Sequence, residues 1–193
     1  YNIEDVQQIP IHHPEGDTFV HTMFCLDEAK DVLTKTVMLC HDLGKSITTV
    51  FENGDYKSPG HAEAGIPLTY SLLKLLSFLD GAFQDKVSLL VELHMCHINA
   101  PTKKSSRKLL TKLERLELTF DHLVEVCRCD VSGRPPFKGY TPDIGQNLVS
   151  EMKKPIVNGT MLIAMGIEPG KEMGILLKKL LTLQDEGVLT PDN

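Results

Sequence analysis

The sequence predicts an all-α protein with one sizeable core. Its 193 residues lie near the upper end of the length of a single domain, and its hydrophobic fraction of 41% is ordinary for a globular protein. Leucine-rich segments dominate the chain, and leucine favours helices over sheets. A helical body with few strands is therefore the expectation.

The first elements are an arm and two helices. Residues 1–17 contain two prolines and show no periodicity, so they predict an extended arm that ends in a turn. Asp17 or Thr18 can cap the helix that follows. A second, short helix from Lys35 to Leu43 is expected to end where Gly44 adopts a left-handed conformation.

A small hairpin or ordered loop is predicted over residues 46–59, because this stretch places β-branched residues around Asn53-Gly54. Helices are then expected from about His61 to Leu79 and from Phe83 to His97. Gly81 is predicted to be the break between these two helices.

A longer helix from about Ser105 to Cys127 is predicted to combine an apolar stripe with a basic one. The basic stripe comprises Lys104, Arg107, Lys108, Lys112 and Arg115. A solvated helix face and a track for an RNA backbone both account for such a stripe. The following stretch from Ser132 to Pro142 is rich in Gly and Pro and is expected to be irregular.

The last helix is expected to begin near Pro169 and to end at Gly187. Its predicted buried stripe consists of Leu176, Leu177, Leu180 and Leu181.

Composition excludes two classes of protein. The 20 basic and 26 acidic residues give a net charge of −6, so non-specific nucleic-acid binding is not indicated and any RNA contact must be local. No apolar run approaches the roughly 20 residues that span a bilayer, and the N-terminus lacks the pattern of a signal peptide.

Five cysteines without a CxxC pair fit reduced thiols in a core. We expect a cytoplasmic protein without a membrane contact.

The sharpest local feature is His41-Asp42, followed by Leu43-Gly44-Lys45. Neighbouring residues on a helix diverge by about 100°, so both side chains can reach one cation only where the helix is ending. Gly44 supplies that end, and the partial negative charge of the helix C-terminus favours a cation there. Lys45 lies just beyond, where it can hold a substrate phosphate.

A divalent ion that keeps positions open for water and phosphate needs further ligands. His21 and Asp130 are the candidates, and a mixture of imidazole and carboxylate suits Mn, Fe, Co, Ni or Mg better than a structural zinc. His61 and His94 are candidates for a second metal or for direct contact with phosphate, with a structural role as the alternative. Weaker candidates are His12, His13 and His97.

Five motifs occur in order along the chain, and the order is more specific than any one of them. They are Phe19-Val20-His21-Thr22, His41-Asp42-Leu43-Gly44-Lys45, Gly60-His61-Ala62-Glu63-Ala64-Gly65, Glu92-Leu93-His94 and Asp130-Val131-Ser132-Gly133-Arg134. Together they resemble the HD domain attached to bacterial tRNA nucleotidyltransferases, the CCA-adding enzymes. The segments His13–Asp17 and Gly166–Gly187 are similar to the same enzymes, so the resemblance covers almost the whole chain.

The resemblance implies a helical bundle of the HD type over residues 1–140, with a small hairpin or loop insertion, and a helical tail over residues 141–193. The metal ligands that it implies are His21, His41, Asp42 and Asp130. In the bacterial family this domain is a phosphohydrolase that uses nickel or a similar transition metal. It cleaves 2′,3′-cyclic phosphates and removes 2′-phosphates or other phosphomonoesters. A role in RNA repair or tRNA maintenance, with an RNA end or tRNA as the partner, follows by analogy.

Two departures from the family matter. The nucleotidyltransferase head is absent from these residues, so we do not expect them to add nucleotides. Asn158–Met161 stands where the family tail often has an acidic residue, which puts the RNA role of the tail in doubt.

The expected reaction is hydrolysis at one or two divalent ions, with water attacking phosphorus in line with the leaving oxygen. Asp42 or Asp130 would orient that water. Lys45, and to a lesser extent Arg134, would offset the charge that develops on the phosphoryl oxygens.

Two other functions stay open at this point. One is a nucleotidase that acts on free mononucleotides without contact to a polymer. The other is a catalytically idle tRNA-binding module, which predicts tRNA affinity with a steep salt dependence and no turnover. The phosphate loop of P-loop NTPases, the HExxH helix and the Gly-x-Ser-x-Gly elbow do not occur in the sequence.

Overall fold

The computed structural model describes residues 3–97, 103–142, 155–186 and 188–190. The chain divides into two compact units, Tyr1–Gly145 and Gln146–Asn193. Helices dominate both units, and the described strands form one two-stranded sheet. The all-α class predicted from the sequence is confirmed.

The first unit is a bundle of helices with one hairpin. Its elements, in chain order, are α1 (Thr18–Glu28), α2 (Val32–Cys40), α3 (Lys45–Thr48), β1 (Val50–Glu52), β2 (Asp55–Lys57), α4 (His61–Leu75), α5 (Gly81–Leu93), α6 (Lys103–Arg115) and α7 (Phe120–Ser132). Short 3₁₀ helices cover His94–His97 and Pro135–Phe137. The central helix is α2, which contacts α1, α4, α5 and α7. Large fully buried side chains of the core are Met38, Leu73, Leu90, Leu113 and Leu123.

Aspartates cap the first two helices. The predicted cap of α1 is confirmed, because a carboxylate oxygen of Asp17 accepts a hydrogen bond from a backbone N–H of the first turn at 2.9 Å. Asp31 accepts hydrogen bonds from the backbone N and the hydroxyl of Thr34 at 2.9 and 2.7 Å. Since this cap satisfies free N–H groups of the first turn, α2 begins at Val32 rather than at the predicted Lys35.

Gly44 is needed for close packing rather than for a left-handed turn. Its φ of −64° is right-handed, so the predicted left-handed conformation is wrong. A Cβ atom on Gly44 would lie 2.0 Å from the carbonyl oxygen of His61 and 2.7 Å from the backbone N of Gly65, both in α4. Only glycine therefore allows the turn after α2 to approach the first turns of α4 so closely.

The predicted hairpin is confirmed. Strands β1 and β2 pair antiparallel, with Val50 opposite Lys57. The turn residues Asn53 and Gly54 have φ values of 55° and 83°. Positive φ at both central residues is the geometry that suits the right-handed twist of a two-residue hairpin.

The α4–α5 pair differs from the prediction at its junction. Helix α4 stops short of the predicted Leu79, because Ser77 adopts a φ of 64°. Gly81 is the first residue of α5 and not a break, since the Asp80 side chain accepts a hydrogen bond from the first turn at 3.0 Å.

The predicted long helix from Ser105 to Cys127 is in fact two helices. Helix α6 closes with a hydrogen bond from the backbone N of Leu118 to the carbonyl of Leu113 at 2.9 Å. Glu117 has a φ of 55° and occupies the position where glycine is usual in such a cap. Because glutamate rarely adopts this conformation, the sequence carries no signal for the break.

The second unit contains α8 (Gly159–Ala164) and α9 (Lys171–Asp185). Helix α9 matches the predicted last helix, and its predicted end at Gly187 lies outside the described residues. The leucine stripe predicted to be buried is only half-buried at each of its four positions, Leu176, Leu177, Leu180 and Leu181. Among the described helices of this unit, α8 packs against α9, and its six residues are too few to cover the stripe of a 15-residue helix.

Within the described ranges, no helix combines the length and the apolar character that crossing a membrane requires.

Candidate metal centre

Six side chains predicted as metal ligands meet in one buried centre of the first unit. The members of this candidate metal centre are His21 from α1, His41 and Asp42 from the turn after α2, His61 from α4, His94 from the turn after α5, and Asp130 from α7. None of them is more than 8% exposed. The packing of α1, α2 and α7 brings residues as far apart as His21 and Asp130 into contact, with His21 Nε2 3.0 Å from Asp130 Oδ1.

The ligand atoms form two groups, and within each group all atoms lie within 4.8 Å of one another. One group contains His21, Cys25, His41 and Asp130, and the other contains Asp42, His61 and His94. Asp42 lies between them, because its Oδ2 is 3.2 Å from His41 Nε2 and its Oδ1 is 3.4 Å from His61 Nε2.

Three of the histidines are held with the same nitrogen facing inward. The Nδ1 atoms of His41, His61 and His94 lie 2.7, 2.9 and 2.6 Å from the backbone carbonyls of Met38, Ser58 and Val91. A carbonyl can only accept a hydrogen bond, so each Nδ1 carries the proton and each neutral ring presents the lone pair of Nε2. This tautomer and orientation are those of a metal-binding histidine.

The donor set fits a divalent cation. His61 Nε2 lies 3.2 Å from His94 Nε2, so two lone pairs face each other next to the Asp42 carboxylate. Burial lowers the pKa of His94 to about 3, so this ring does not hold a proton between the two nitrogens near neutral pH. Among the described residues, the buried atoms His41 Nε2 and Asp130 Oδ2 find no hydrogen-bond partner. A cation among these atoms would satisfy all of them.

Both carboxylates are ionised. Burial alone would raise the pKa of Asp42, but the positive charge of Lys45 beside it holds the pKa well below its ordinary value. Burial acts in the same direction on Asp130, and there a hydrogen bond from His21 and the charge of Arg134 keep the pKa well below the ordinary range.

Four members of the candidate metal centre line an open cleft of about 740 Å³: Asp42, His61, His94 and Asp130. Lys45 and Arg134, the two cations predicted to contact phosphate, both line this cleft. Lys45 Nζ lies 2.7 Å from Asp42 Oδ2 and donates a hydrogen bond to Gln8 Oε1 at 2.6 Å. Arg134 Nη2 donates a hydrogen bond to Asp130 Oδ1 at 3.1 Å. The cleft thus combines groups suited to binding a cation with two positively charged side chains.

Glu15 belongs to the site, although sequence reasoning did not single it out. Its Oε1 lies 2.7 Å from His21 Nδ1 and 2.9 Å from His13 Nδ1, and its side chain is fully buried. Burial would raise its pKa, but the hydrogen bonds from His13 and His21 lower the pKa of Glu15 to about 2. With Nδ1 held in this way, His21 turns its Nε2 towards Asp130. The His13–Asp17 segment was the one sequence signal for this residue.

Among the histidines of the candidate metal centre, His21 is the one whose surroundings favour the protonated, positively charged form. Burial lowers its pKa, but hydrogen bonds with Asp130, Cys25 and Glu15 outweigh burial and raise the pKa of His21 well above its ordinary value. Cys25 Sγ lies 3.4 Å from His21 Nε2, and burial raises the pKa of this thiol to about 11. A protonated thiol is a weak metal ligand, so Cys25 keeps the packing role that the sequence indicates.

The weaker histidine candidates lie at the edge of the site. His12 and His13 line the cleft, and the side chain of His97 lies outside the described residues.

Comparison with known proteins finds relatives over about two thirds of the chain. A Multifunctional CCA protein of Haemophilus influenzae (strain PittGG) is 33% identical over 142 residues, which cover 66% of this chain and 33% of the relative. The chain is homologous to Multifunctional CCA proteins. The one from Laribacter hongkongensis (strain HLHK9) is 35% identical over 139 residues, covering 67% of this chain and 33% of the relative. The one from Teredinibacter turnerae (strain ATCC 39867 / T7901) is 29% identical over 181 residues, covering 88% and 42%.

The resemblance to CCA-adding enzymes is confirmed at the level of sequence similarity. The chain spans about a third of the length of the first two of these Multifunctional CCA proteins. No protein-family model matches the chain, and no solved structure matches it significantly.

Proposed function

We propose that this chain is a metal-dependent phosphohydrolase of the HD type. Its substrates are 2′,3′-cyclic phosphates and 2′- or 3′-phosphomonoesters of RNA ends or nucleotides. The observation that carries the proposal is the meeting of four imidazoles and two carboxylates beside a cleft that two cations line. We assign the activity to residues 1–140 and treat residues 141–193 as a helical tail.

The donor atoms support one or two ions. His21, His41 and Asp130 would hold one cation, and His61 and His94 would hold a second. Asp42 has one oxygen near each group, so we assign it to both. Imidazole and carboxylate together suit Ni, Mn, Co, Fe or Mg. When bound, such an ion polarises a phosphoryl oxygen and makes water a better nucleophile at neutral pH.

The protein's own groups complete the chemistry. Asp42 and Asp130 stay ionised in a buried place, so either can accept a hydrogen bond from the attacking water and orient it in line with the leaving oxygen. Lys45 and Arg134 offset the charge on the phosphoryl oxygens. Lys45 has the larger share, because its residue is only 8% exposed and its charge is weakly screened.

The relatives support an RNA substrate. The similarity to Multifunctional CCA proteins, with the motifs shared with CCA-adding enzymes, favours an RNA end, including that of tRNA, and a role in RNA repair or tRNA maintenance. The basic stripe on α6 is where we place contact with an RNA backbone. Its described side chains are Arg107, Lys108, Lys112 and Arg115, and the Lys104 side chain lies outside the described residues. Lys112 forms an ion pair with Glu92.

The test is a metal screen on 2′,3′-cyclic nucleotides and phosphomonoesters, run with the wild type and Asp42→Asn. We expect turnover with at least one of the five metals, and loss of most of it in Asp42→Asn. Asp27→Asn, on the exposed face of α1, is the matched control and should keep full activity. Equal activity in the wild type and Asp42→Asn would refute the proposal.

Two further measurements separate the alternatives. Equal rates on free nucleotides and on oligonucleotides ending in a cyclic phosphate would favour a nucleotidase. Affinity for tRNA that falls steeply with salt, without turnover in any metal, would favour an idle binding module.

A further inference from the structure

We propose that Phe137 and Tyr140 form a stacking surface for the nucleobase of the substrate. This inference rests on the proposed function for the place of the phosphate. The aromatic surface itself is argued from its position, its support and the division of charge in the cleft.

Both rings lie where a bound ligand would meet them. Phe137 and Tyr140 line the same cleft as the candidate metal centre, and they are 44% and 55% exposed. Large aromatic side chains lose free energy by facing water, and their flat faces are well suited to stacking. Val131 and Met95 also contribute to the lining of the cleft. The lining therefore has an aromatic part, Phe137 and Tyr140, which we call the wall. It also has a charged part, with Asp42, Lys45, Asp130 and Arg134, which we call the floor.

The loop that carries this wall is held by a short helix and internal hydrogen bonds, although the sequence predicts an irregular stretch here. Helix α7 runs to Ser132, and a 3₁₀ helix with two prolines covers Pro135–Phe137. The backbone N of Tyr140 donates to the carbonyl of Phe137 at 2.9 Å, and the Ser132 hydroxyl donates to the carbonyl of Tyr140 at 3.2 Å. Gly139, which precedes Tyr140, has a φ of 79°, a backbone conformation that favours glycine. Such a loop loses little entropy when a ligand binds.

The chemistry of the cleft changes from floor to wall. Phosphate is favoured at the floor, where the candidate metal centre lies beside Lys45 and Arg134. A cleft of about 740 Å³ is far larger than a phosphate needs and falls within the range of pockets for organic ligands, about 300–1,000 Å³. A ligand with a charged end and a flat, weakly polar body matches this arrangement. A nucleotide has both parts.

Stacking predicts affinity without strong preference for one base. Every base has a π-face, and loss of one aromatic partner typically costs about 1–3 kcal/mol. This corresponds to an affinity change of roughly 5- to 150-fold. Ligands that carry the same cyclic phosphate but no base should not respond to the loss of the wall.

The direct test uses fluorescence. Because the sequence contains no tryptophan, Phe137→Trp introduces a single indole into the wall. The matched control is Phe24→Trp, on α1, where the native ring is 42% exposed and does not line the cleft. Stopped-flow titration of the metal-loaded proteins, read before turnover, compares 2′,3′-cyclic AMP with glycerol 1,2-cyclic phosphate. We expect saturable quenching of Phe137→Trp by cyclic AMP alone, and none of Phe24→Trp.

A kinetic arm tests the same surface without a probe. Phe137→Leu and Tyr140→Leu should raise KM for 2′,3′-cyclic AMP by roughly 5- to 150-fold, with kcat little changed. Tyr140→Phe should restore the wild-type KM, because it keeps the ring. Hydrolysis of glycerol 1,2-cyclic phosphate should stay the same in all three variants.

Several outcomes would overturn the stacking surface. They are equal quenching at positions 24 and 137, quenching by the base-free phosphate, or equal losses on both substrates in the leucine variants. Base-dependent quenching without turnover in any metal would support the surface and defeat the proposed function. Turnover without base-dependent quenching would support the proposed function and defeat the stacking surface.

Discussion

Replacing Glu15 tests whether this buried carboxylate positions His21 for a metal. Its Oε1 lies 2.7 Å from His21 Nδ1, and its side chain is fully buried. Glu15→Gln has nearly the same shape and keeps an oxygen that can accept the hydrogen bond, but it removes the charge. Glu15→Ala removes the acceptor as well and leaves the Nδ1 atoms of His13 and His21 without this partner.

The expected loss follows from those contacts. Removing the partner that orients a metal-bound histidine typically weakens metal binding by about 10- to 100-fold. This corresponds to about 1.4–2.7 kcal/mol. We expect Glu15→Gln near the lower limit, because its amide oxygen still fixes the ring. Glu15→Ala should lie near the upper limit, because the Nδ1–H groups of His13 and of the fully buried His21 both lose their acceptor.

The assay is calorimetric titration of the metal-free protein with manganese or nickel. Glu28→Gln is the matched control, since it weakens an ion pair with Arg128 at the far end of α1 and should leave metal affinity unchanged. In a His21→Ala background, Glu15→Gln should have no further effect, because the ring that it positions is gone. Wild-type affinity in Glu15→Ala would refute the reasoning.

Two further predictions concern stability. Gly44→Ala should lower the free energy of unfolding by about 3 kcal/mol, because the added Cβ would lie 2.0 Å from the backbone of His61. Gly81→Ala is the control and should change the free energy of unfolding by less than about 1 kcal/mol, because no atom lies within 4 Å of its added Cβ. Equal denaturant midpoints for the two variants would contradict the close approach. Asp31→Ala should cost about 1 kcal/mol at neutral pH through loss of the cap. Partial burial would raise the pKa of Asp31, but hydrogen bonds from Thr34 hold this pKa below its ordinary 3.8. The cap therefore contributes its full stability above pH 3.8. This contribution is lost as the pH falls through the lower pKa that Asp31 has in the folded state. The stability gap to the variant should therefore close in acid, and a gap independent of pH would argue against the cap.

Local signals were sufficient for many elements of the fold. The cap at Asp17, the hairpin around Asn53-Gly54 and the existence of α4, α5 and α9 each depend on interactions within a few residues of one another. Two predictions failed where a residue does not have the conformation that is usual for its type at a helix end. Glu117 ends α6 with a positive φ, which is usual for glycine and not for glutamate. Gly44 follows α2 with a negative φ, and close packing is the reason that glycine is needed there.

The sequence by itself determined which residues have side chains suited to binding a cation, since imidazole and carboxylate groups in ordered motifs are visible without coordinates. Only the tertiary structure decided how those groups meet. The facing nitrogens of His61 and His94, the place of Asp42 between two groups and the contact of Glu15 with His21 depend on helices packing side by side. The physical reason is the distance along the chain over which each interaction acts. Helix caps and turns join residues a few positions apart, whereas the site joins His21 to Asp130 across 109 positions. A small change in how the helices pack would therefore move every atom of the centre.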